Sequence, residues 1–255
     1  MTSALIGYTG FVGGNLLRSR PFDELYNSAN VNEIAGREFD EVYFSAAKAE
    51  KWRINQDPDG DAAHIRELEE IISSFRTRRL VLVSTVDVYR EPVGVDETTE
   101  PDTAGLHPYG LHRLQLEAFA RRAVPETLVV RLPGLFGPGI KKNVIFDLLH
   151  DNNVDRIHPG GHFQYYDLTR LAGDIALAQR HDLELINLAT EPVSTARLAE
   201  EVFGRELVAP EGVSAGRYDM HTRHAALWGR DDAYLASADE VVDAVRAFVQ
   251  SETRA

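Results

Sequence analysis

The first fifteen residues, MTSALIGYTGFVGGN, constrain the fold more than any other stretch of the chain. A short apolar run, Ala4-Leu5-Ile6, leads straight into Gly7, Gly10 and Gly13 at the spacing G-x-x-G-x-x-G. Gly7 permits a tight turn out of a buried strand, and Gly10 lets the backbone approach a pyrophosphate. Gly13 lets the following helix pack close to that strand, with its N-terminal amides aimed at the anion. A glycine-rich strand-to-helix turn with no ligand is the competing reading of a lone motif. Its place directly after a strand, and the segments that follow, favour dinucleotide binding.

The rest of the chain supplies those segments. Apolar runs alternate with stretches of helical period, the pattern of a parallel sheet covered on both faces. The predicted strands are residues 4–7, 24–27, 42–46, 80–84, 127–132 and 185–188. Helices are predicted over 13–18, 111–123, 171–180, 195–203 and 238–249. Another carries Ile65, Leu68, Ile71, Ile72 and Phe75 at helical spacing, with Asp61 as its N-cap. Turn residues sit at Pro159-Gly160-Gly161. The rhythm changes after Leu132. The expectation is therefore an α/β fold, a Rossmann-type doubly wound, mostly parallel sheet with a small C-terminal substrate lobe. The dinucleotide-binding core would lie mainly in 1–132 and the lobe with closing helices mainly in 133–255, interleaved as one structural unit.

Composition narrows the class. With 44% hydrophobic and 26% charged residues among 255, the chain can bury an ordinary core. It has no cysteine, which excludes a disulfide scaffold and a thiolate nucleophile and suits a reducing cytoplasm. The net charge of -13 argues against nucleic acid or an anionic membrane as partner. No run approaches the roughly 18 apolar residues of a membrane helix. The N-terminus enters a strand almost at once, so no signal peptide is expected. The partner to expect is a small-molecule substrate, in the cytoplasm.

Ligands of such sheets lie beyond the carboxyl ends of the strands. That brings Ser84-Thr85, Ala46-Ala47-Lys48 and Tyr109 toward one site. The strings VLVSTVDVY, PYGLHRLQLEAF and RLPGLFGPG, followed by FQYYDLTRLAGDIALA and INLATEPVSTARLAEEVFG, resemble the extended short-chain dehydrogenase/reductases. That family contains NAD-dependent nucleotide-sugar epimerases, dehydratases and reductases. The resemblance spans nearly the whole chain, and it implies an NAD or NADP cofactor and a homodimer. It places the active-site hydroxyl on Thr85 and the catalytic tyrosine on Tyr109. It also implies cofactor contacts from Gly7, Thr9, Gly10, Phe11, Val12, Gly13, Ala46, Ala47, Tyr109 and Pro133. The family's lysine four residues after the tyrosine is Arg113 here. A phenol of ordinary pKa near ~10 needs a nearby cation to work as a base at neutral pH. Arg113 keeps that charge and could hold a ribose hydroxyl, but it is a bulkier planar fork that does not release its proton.

Other residues are less sharply marked. Asn27, Ser28 and Asn30 follow the 24–27 strand, where an adenine ribose would sit; they bond the ribose or simply make a turn. The absence of a basic residue there leans toward NAD over NADP. Lys48, Lys51 and Arg53 follow one strand end, and Lys141 and Lys142 follow GPG. In so acidic a chain these read as contacts for an anionic substrate, or as ordinary solvated lysines. His112 reads as a proton relay or an exposed helix histidine. The pairs His158/His162 and His221/His224 lack a third obvious ligand, so no metal site is expected. Trp52 and Trp228 read as packing residues. The expectation is hydride transfer to or from a sugar or nucleotide-sugar carbon, with Tyr109 handling the proton, Thr85 bonding the oxygen and Arg113 tuning Tyr109. A dehydratase would need a further acid/base pair, for which Asp87 and Glu91 lie nearby in sequence. The rival is a dinucleotide-binding sensor or regulator without catalysis, motivated by Arg113.

Overall fold

The computed structural model describes residues 2–254. In chain order its elements begin with β1 (Ser3–Ile6), α1 (Phe11–Ser19), β2 (Glu24–Tyr26), β3 (Glu38–Phe44), α2 (Lys51–Gln56), α3 (Pro58–Ser74) and β4 (Arg76–Thr85). They continue with β5 (Val93–Val95), α4 (Pro108–Ala123), β6 (Glu126–Leu132), β7 (Gly134–Phe136), α5 (Val144–His150), β8 (His162–Phe163) and β9 (Tyr165–Asp167). The last are α6 (Leu171–Arg180), β10 (Leu185–Asn187), β11 (Val193–Ser194), α7 (Thr195–Phe203), β12 (Asp219–Met220) and α8 (Ala238–Glu252). The chain divides into two compact units. The first holds residues up to Arg90, Glu100–Arg131 and Thr169–Ile186; the second holds Glu91–Thr99, Leu132–Leu168 and the residues from Asn187 onward. Helix α6 lies in the first unit and residues 91–99 in the second.

The first unit is built on a six-stranded sheet of order β10-β6-β4-β3-β1-β2. β1 pairs in parallel with β2 on one side and β3 on the other, and β3 pairs in parallel with β4. The winding direction therefore reverses beside β1. The turns leaving β1 and β3 meet at that reversal, the position where doubly wound sheets hold ligands. Alternation along the strands explains how both faces are covered. Ala4, Ile6, Val42, Phe44, Leu80 and Leu82 pack with Ile65, Leu68 and Ile72 of α3 and Leu116 and Ala120 of α4 in one buried cluster. Leu5, Tyr43 and Val81 are equally buried, as expected for strands covered on both sides. α3 packs on α4, and α1 packs on α6.

Several boundaries move from their sequence expectations for local reasons. β4 begins at Arg76, not Leu80, because its polar start pairs with β3 as Glu38↔Arg76 and Glu41↔Arg79, opposite charges across the ladder. α3 is capped by Asp57, whose side chain accepts from the Gly60 N–H, with Pro58 at the first helical position. Asp61 is not its cap but lies inside the helix, buried. α4 starts at Pro108 for the same reason, capped by His107 accepting from the Gly110 N–H at 3.0 Å. The short helices α2 and α5 lie in stretches left without an assigned element by the periodicity.

The second unit is assembled from strand pairs: β5 with β12, β7 with β9 and β8 with β11. Gln164 ties three segments together: its buried amide donates to the Thr190 and Met220 carbonyls at 2.5 and 2.7 Å and accepts from the Met220 N–H at 2.8 Å. α7 packs on α5 and α8, and α8 opens on a capping box of Ser237 and Glu240. Among the described residues no helix is long and apolar enough to cross a membrane.

The β1–α1 turn is sterically closed to side chains. A Cβ at Gly13 would lie 2.2 Å from the Gly7 carbonyl oxygen and 2.8 Å from Ser45 Oγ. Gly13→Ala should therefore lower unfolding free energy by about 2 kcal/mol or more. Gly173→Ala in α6, where an added Cβ meets nothing within 4 Å, should be neutral or slightly stabilising. Urea denaturation of the two variants checks both.

Candidate functional site

The glycine turn is shaped as a cradle. Gly7 has φ of +90°, a conformation open to glycine, and its N–H donates to the Tyr26 carbonyl at 2.7 Å. A Cβ on Gly7 would lie 2.7 Å from the Ser45 carbonyl oxygen, so the turns leaving β1 and β3 touch backbone to backbone. Gly10 is the N-cap of α1, and among the described residues no side chain caps that terminus. The first-turn amides, at Phe11, Val12 and Gly13, thus keep the partial positive charge that favours an anion. Thr9 is exposed beside them, and Ala46 and Ala47 are partly buried after β3. Backbone donors at a helix N-terminus are the donor set that suits a pyrophosphate.

The segment after β2 forms a turn held by its own side chains. Asn27 Oδ1 accepts from the Ala29 N–H, and Asn27 Nδ2 donates to the Tyr8 hydroxyl at 3.0 Å. Asn30 accepts from the Asn27 N–H and donates to the Leu25 carbonyl. Ser28 is exposed.

Thr85, Tyr109 and Arg113 come together in the first unit. Thr85 ends β4 and Tyr109 lies in the first turn of α4. The Arg113 guanidinium carbon lies 4.4 Å from the centre of the Tyr109 ring, over its face. Burial pushes the Tyr109 phenol above its ordinary value. Against it, the positive charge of Arg113 acts downward; Asp87 raises it again, and a hydrogen bond with Thr85 and the charge of Lys51 lower it. The net direction is upward, so the phenol keeps its proton at neutral pH.

Arg113 is more tightly committed than its sequence position indicates. Nη1 donates to Asp61 Oδ2 at 2.5 Å and Nη2 to the Lys48 carbonyl at 2.5 Å. Both Arg113 and Asp61 are almost wholly buried, with side chains 3% and 2% exposed. His112 is neither exposed nor at the phenol: it is buried with Nδ1 2.8 Å from the same Asp61 oxygen. Each terminal nitrogen expected to reach a ribose thus also holds a protein partner.

The remaining predicted residues fall out variously. Lys51 pairs with Asp87 at 2.7 Å, so this lysine faces the Tyr109 neighbourhood as an ion pair. Lys48 contributes its carbonyl to Arg113, and Arg53 sits 3.6 Å from Glu50 in solvent. Trp52 is 75% exposed, the reverse of a packing residue. Pro133, Lys141 and Lys142 belong to the second unit, Pro133 buried and both lysines exposed. His158 and His162 make turn contacts with Gly160, and His221 contacts Tyr234 and Asp219. Among the described residues no group of three or more histidine and acidic side chains is placed to hold a metal.

Three residues around Tyr109 and Arg113 were not singled out from the sequence for this place: Asp61, read as a helix cap, His107, and Asn55, whose Oδ1 accepts from the Tyr109 N–H at 3.1 Å; Asp87 was named only as an acid/base for a dehydratase. His107-Pro108 carries a legible cap-then-proline signal. Nothing in the local sequence marks Asn55.

No family model and no curated protein matches the chain. Solved structures do match over its whole length. MoeE5, solved with UDP-glucose and NAD, is 17% identical with TM-score 0.75, covering 100% of this chain and 99% of that one. UDP-glucose 4-epimerase from Thermotoga maritima, solved with UDP-glucose, is 15% identical with TM-score 0.74, over 100% and 99%. A dTDP-4-dehydrorhamnose reductase from Clostridium acetobutylicum is 14% identical with TM-score 0.76, over 99% and 100%. The chain shares their Rossmann-type fold.

Removing Asp61 would leave Arg113 buried and unpaired. Asp61→Ala should cost about 3–5 kcal/mol of stability, read by chemical denaturation, whereas Glu50→Ala, at an exposed pair with Arg53, should cost under about 0.5 kcal/mol.

Proposed function

We propose that the protein is an NAD-dependent oxidoreductase or epimerase of nucleotide sugars, in which Tyr109 exchanges a proton with a substrate oxygen. The observation that carries this reading is one fold unit holding a glycine turn that opens on an uncapped helix start, together with a buried Tyr109 bonded to Thr85. The fold shared with structures solved with UDP-glucose and NAD supports the choice of substrate and cofactor class. Gly7, Gly10 and Gly13 would hold the pyrophosphate, and the neutral turn at 27–30 favours a free ribose 2′-hydroxyl. When bound, the nicotinamide supplies or accepts the hydride.

The protein's own part is proton handling. Thr85 holds the substrate oxygen beside the phenol. The protonated Tyr109 donates to that oxygen as a carbonyl is reduced. In the reverse direction it must first lose its proton, which the cations of Arg113 and Lys51 favour and burial opposes. Lys48 and Arg53, after β3 in the first unit, are cations that would meet an anionic diphosphate. The sign follows: the oxidative kcat should rise with pH through the Tyr109 ionisation, and the reductive kcat should fall through it.

The test begins with calorimetric titration of NAD+, NADH, NADP+ and NADPH on protein stripped of copurified cofactor, followed by turnover of UDP- and dTDP-sugars. Tyr109→Phe should lose at least about a hundredfold in kcat while binding NAD within about twofold, and the pH dependence should vanish with it. Equal turnover by Tyr109→Phe would exclude Tyr109 as the acid/base. Tight cofactor binding without turnover of any sugar would favour a redox sensor over an enzyme.

A further inference from the structure

A closed circuit of contacts surrounds Tyr109, and half of it comes from the six-residue helix α2. Thr85 Oγ1 accepts from the Asp87 N–H at 3.2 Å. Asp87 Oδ1 accepts from Lys51 Nζ at 2.7 Å. Lys51 and Asn55 are one helical turn apart on the same face of α2. Asn55 accepts from the Tyr109 N–H, and Tyr109 returns to Thr85 through its phenol. The buried Ile54, 6% exposed, anchors the helix. The circuit is drawn tight at Gly110, where a Cβ would lie 2.0 Å from the Asp87 carbonyl oxygen. That contact accounts for a glycine inside α4, where it otherwise weakens a helix.

We propose that α2 is a positioning element for Tyr109, with Asn55 fixing the backbone from which the phenol projects and the Lys51–Asp87 pair setting the charge around it. The inference rests on the reading of Tyr109 as the acid/base. Asn55 satisfies a helix N-terminal amide that has no partner within α4; without it the Tyr109 N–H loses its side-chain acceptor, while His107 still caps Gly110. A displacement of about 1 Å at a reacting group can cost a hundredfold in rate. The ion pair works through charge. Its two members act on the phenol in opposite directions, Asp87 upward and Lys51 downward. The other groups that face Tyr109 are Arg113 over its ring, Thr85 at its hydroxyl and the His107 ring 6.2 Å away. Arg113 is bound to Asp61 and the Lys48 carbonyl, whereas the Lys51 side chain is 38% exposed. Lys51 is thus the cation that solvent and an anionic substrate can reach.

The test uses Lys51→Met, Asp87→Asn, Asn55→Leu and Asn55→Asp in the full chain, each shown by denaturation to be folded. Phenol ionisation is followed near 295 nm in the protein without substrate, as the difference between each variant and the same variant carrying Tyr109→Phe. Lys51→Met should raise the Tyr109 midpoint by about half a pH unit or more, and Asp87→Asn should lower it by a similar amount. The pH profile of kcat should move in the same directions. Asn55→Leu should lower kcat roughly tenfold or more with KM within about twofold. Asn55→Asp keeps the acceptor and should recover most of that kcat, with the midpoint raised by its added negative charge. Unmoved midpoints in Lys51→Met and Asp87→Asn, or a parental kcat in Asn55→Leu, overturn the proposal. Should the parent turn over no nucleotide sugar, the functional reading fails, and the substrate-free midpoints alone decide whether Lys51 and Asp87 govern Tyr109.

Discussion

Arg113 and Asp61 are two opposite charges taken almost wholly out of water, and the arrangement of three segments depends on them. Burying either ion alone costs several kcal/mol, which only a close, well-bonded partner offsets. Asp61 sits in α3, Arg113 in α4, and the second guanidinium nitrogen is bound to the carbonyl of Lys48 in the loop after β3. His112 adds a further contact to the same carboxylate oxygen. None of the three segments can shift without leaving a buried charge exposed to apolar surroundings. Tyr109, one turn earlier on α4, inherits this rigidity. Its ring lies beneath the guanidinium at a distance suited to a cation–π contact.

A second buried charge network lies beside the first. Glu117 of α4 accepts from Arg131 Nε and Nη2 at 3.0 and 2.6 Å and from Ser84 Oγ at 2.5 Å. Arg131 also donates to the Tyr89 hydroxyl at 2.7 Å. Ser84 immediately precedes Thr85, so the strand end that presents the Thr85 hydroxyl is fixed by α4 as well. The two networks explain how so polar a helix packs into the core: its buried charges are each met by an opposite one. They also separate the roles of the cations. Arg113 contributes charge from a fixed place, and Lys51 contributes it from the solvent side.

Legibility in the sequence followed the range of the interaction. The glycine turn was legible because Gly7 and Gly13 answer local steric demands, seen in the 2.2 Å approach at Gly13 and the positive φ at Gly7. The buried strands were legible from their apolar runs, and Thr85 and Tyr109 from motif resemblance. Asp61 was misassigned as a cap because an acid early in a helix is usually one; Asp57-Pro58 was the stronger signal. His112 and Trp52 exchanged expectations, the histidine buried and the tryptophan exposed, since a partner 51 residues away decides the first. Asn55 has no local mark, because what it accepts from lies 54 residues further along the chain.

The sequence by itself determined the doubly wound, mostly parallel sheet, the glycine turn into α1 and the residue types near the phenol. These follow from period, glycine placement and strand-end position, all short-range properties of the chain. Tertiary structure alone decided that Arg113 is locked on Asp61, that Lys51 faces Asp87, and that Asn55 holds Tyr109 by its backbone. Each of these joins segments far apart in sequence, and whether a charge is paired or free depends on which groups burial brings within hydrogen-bond reach.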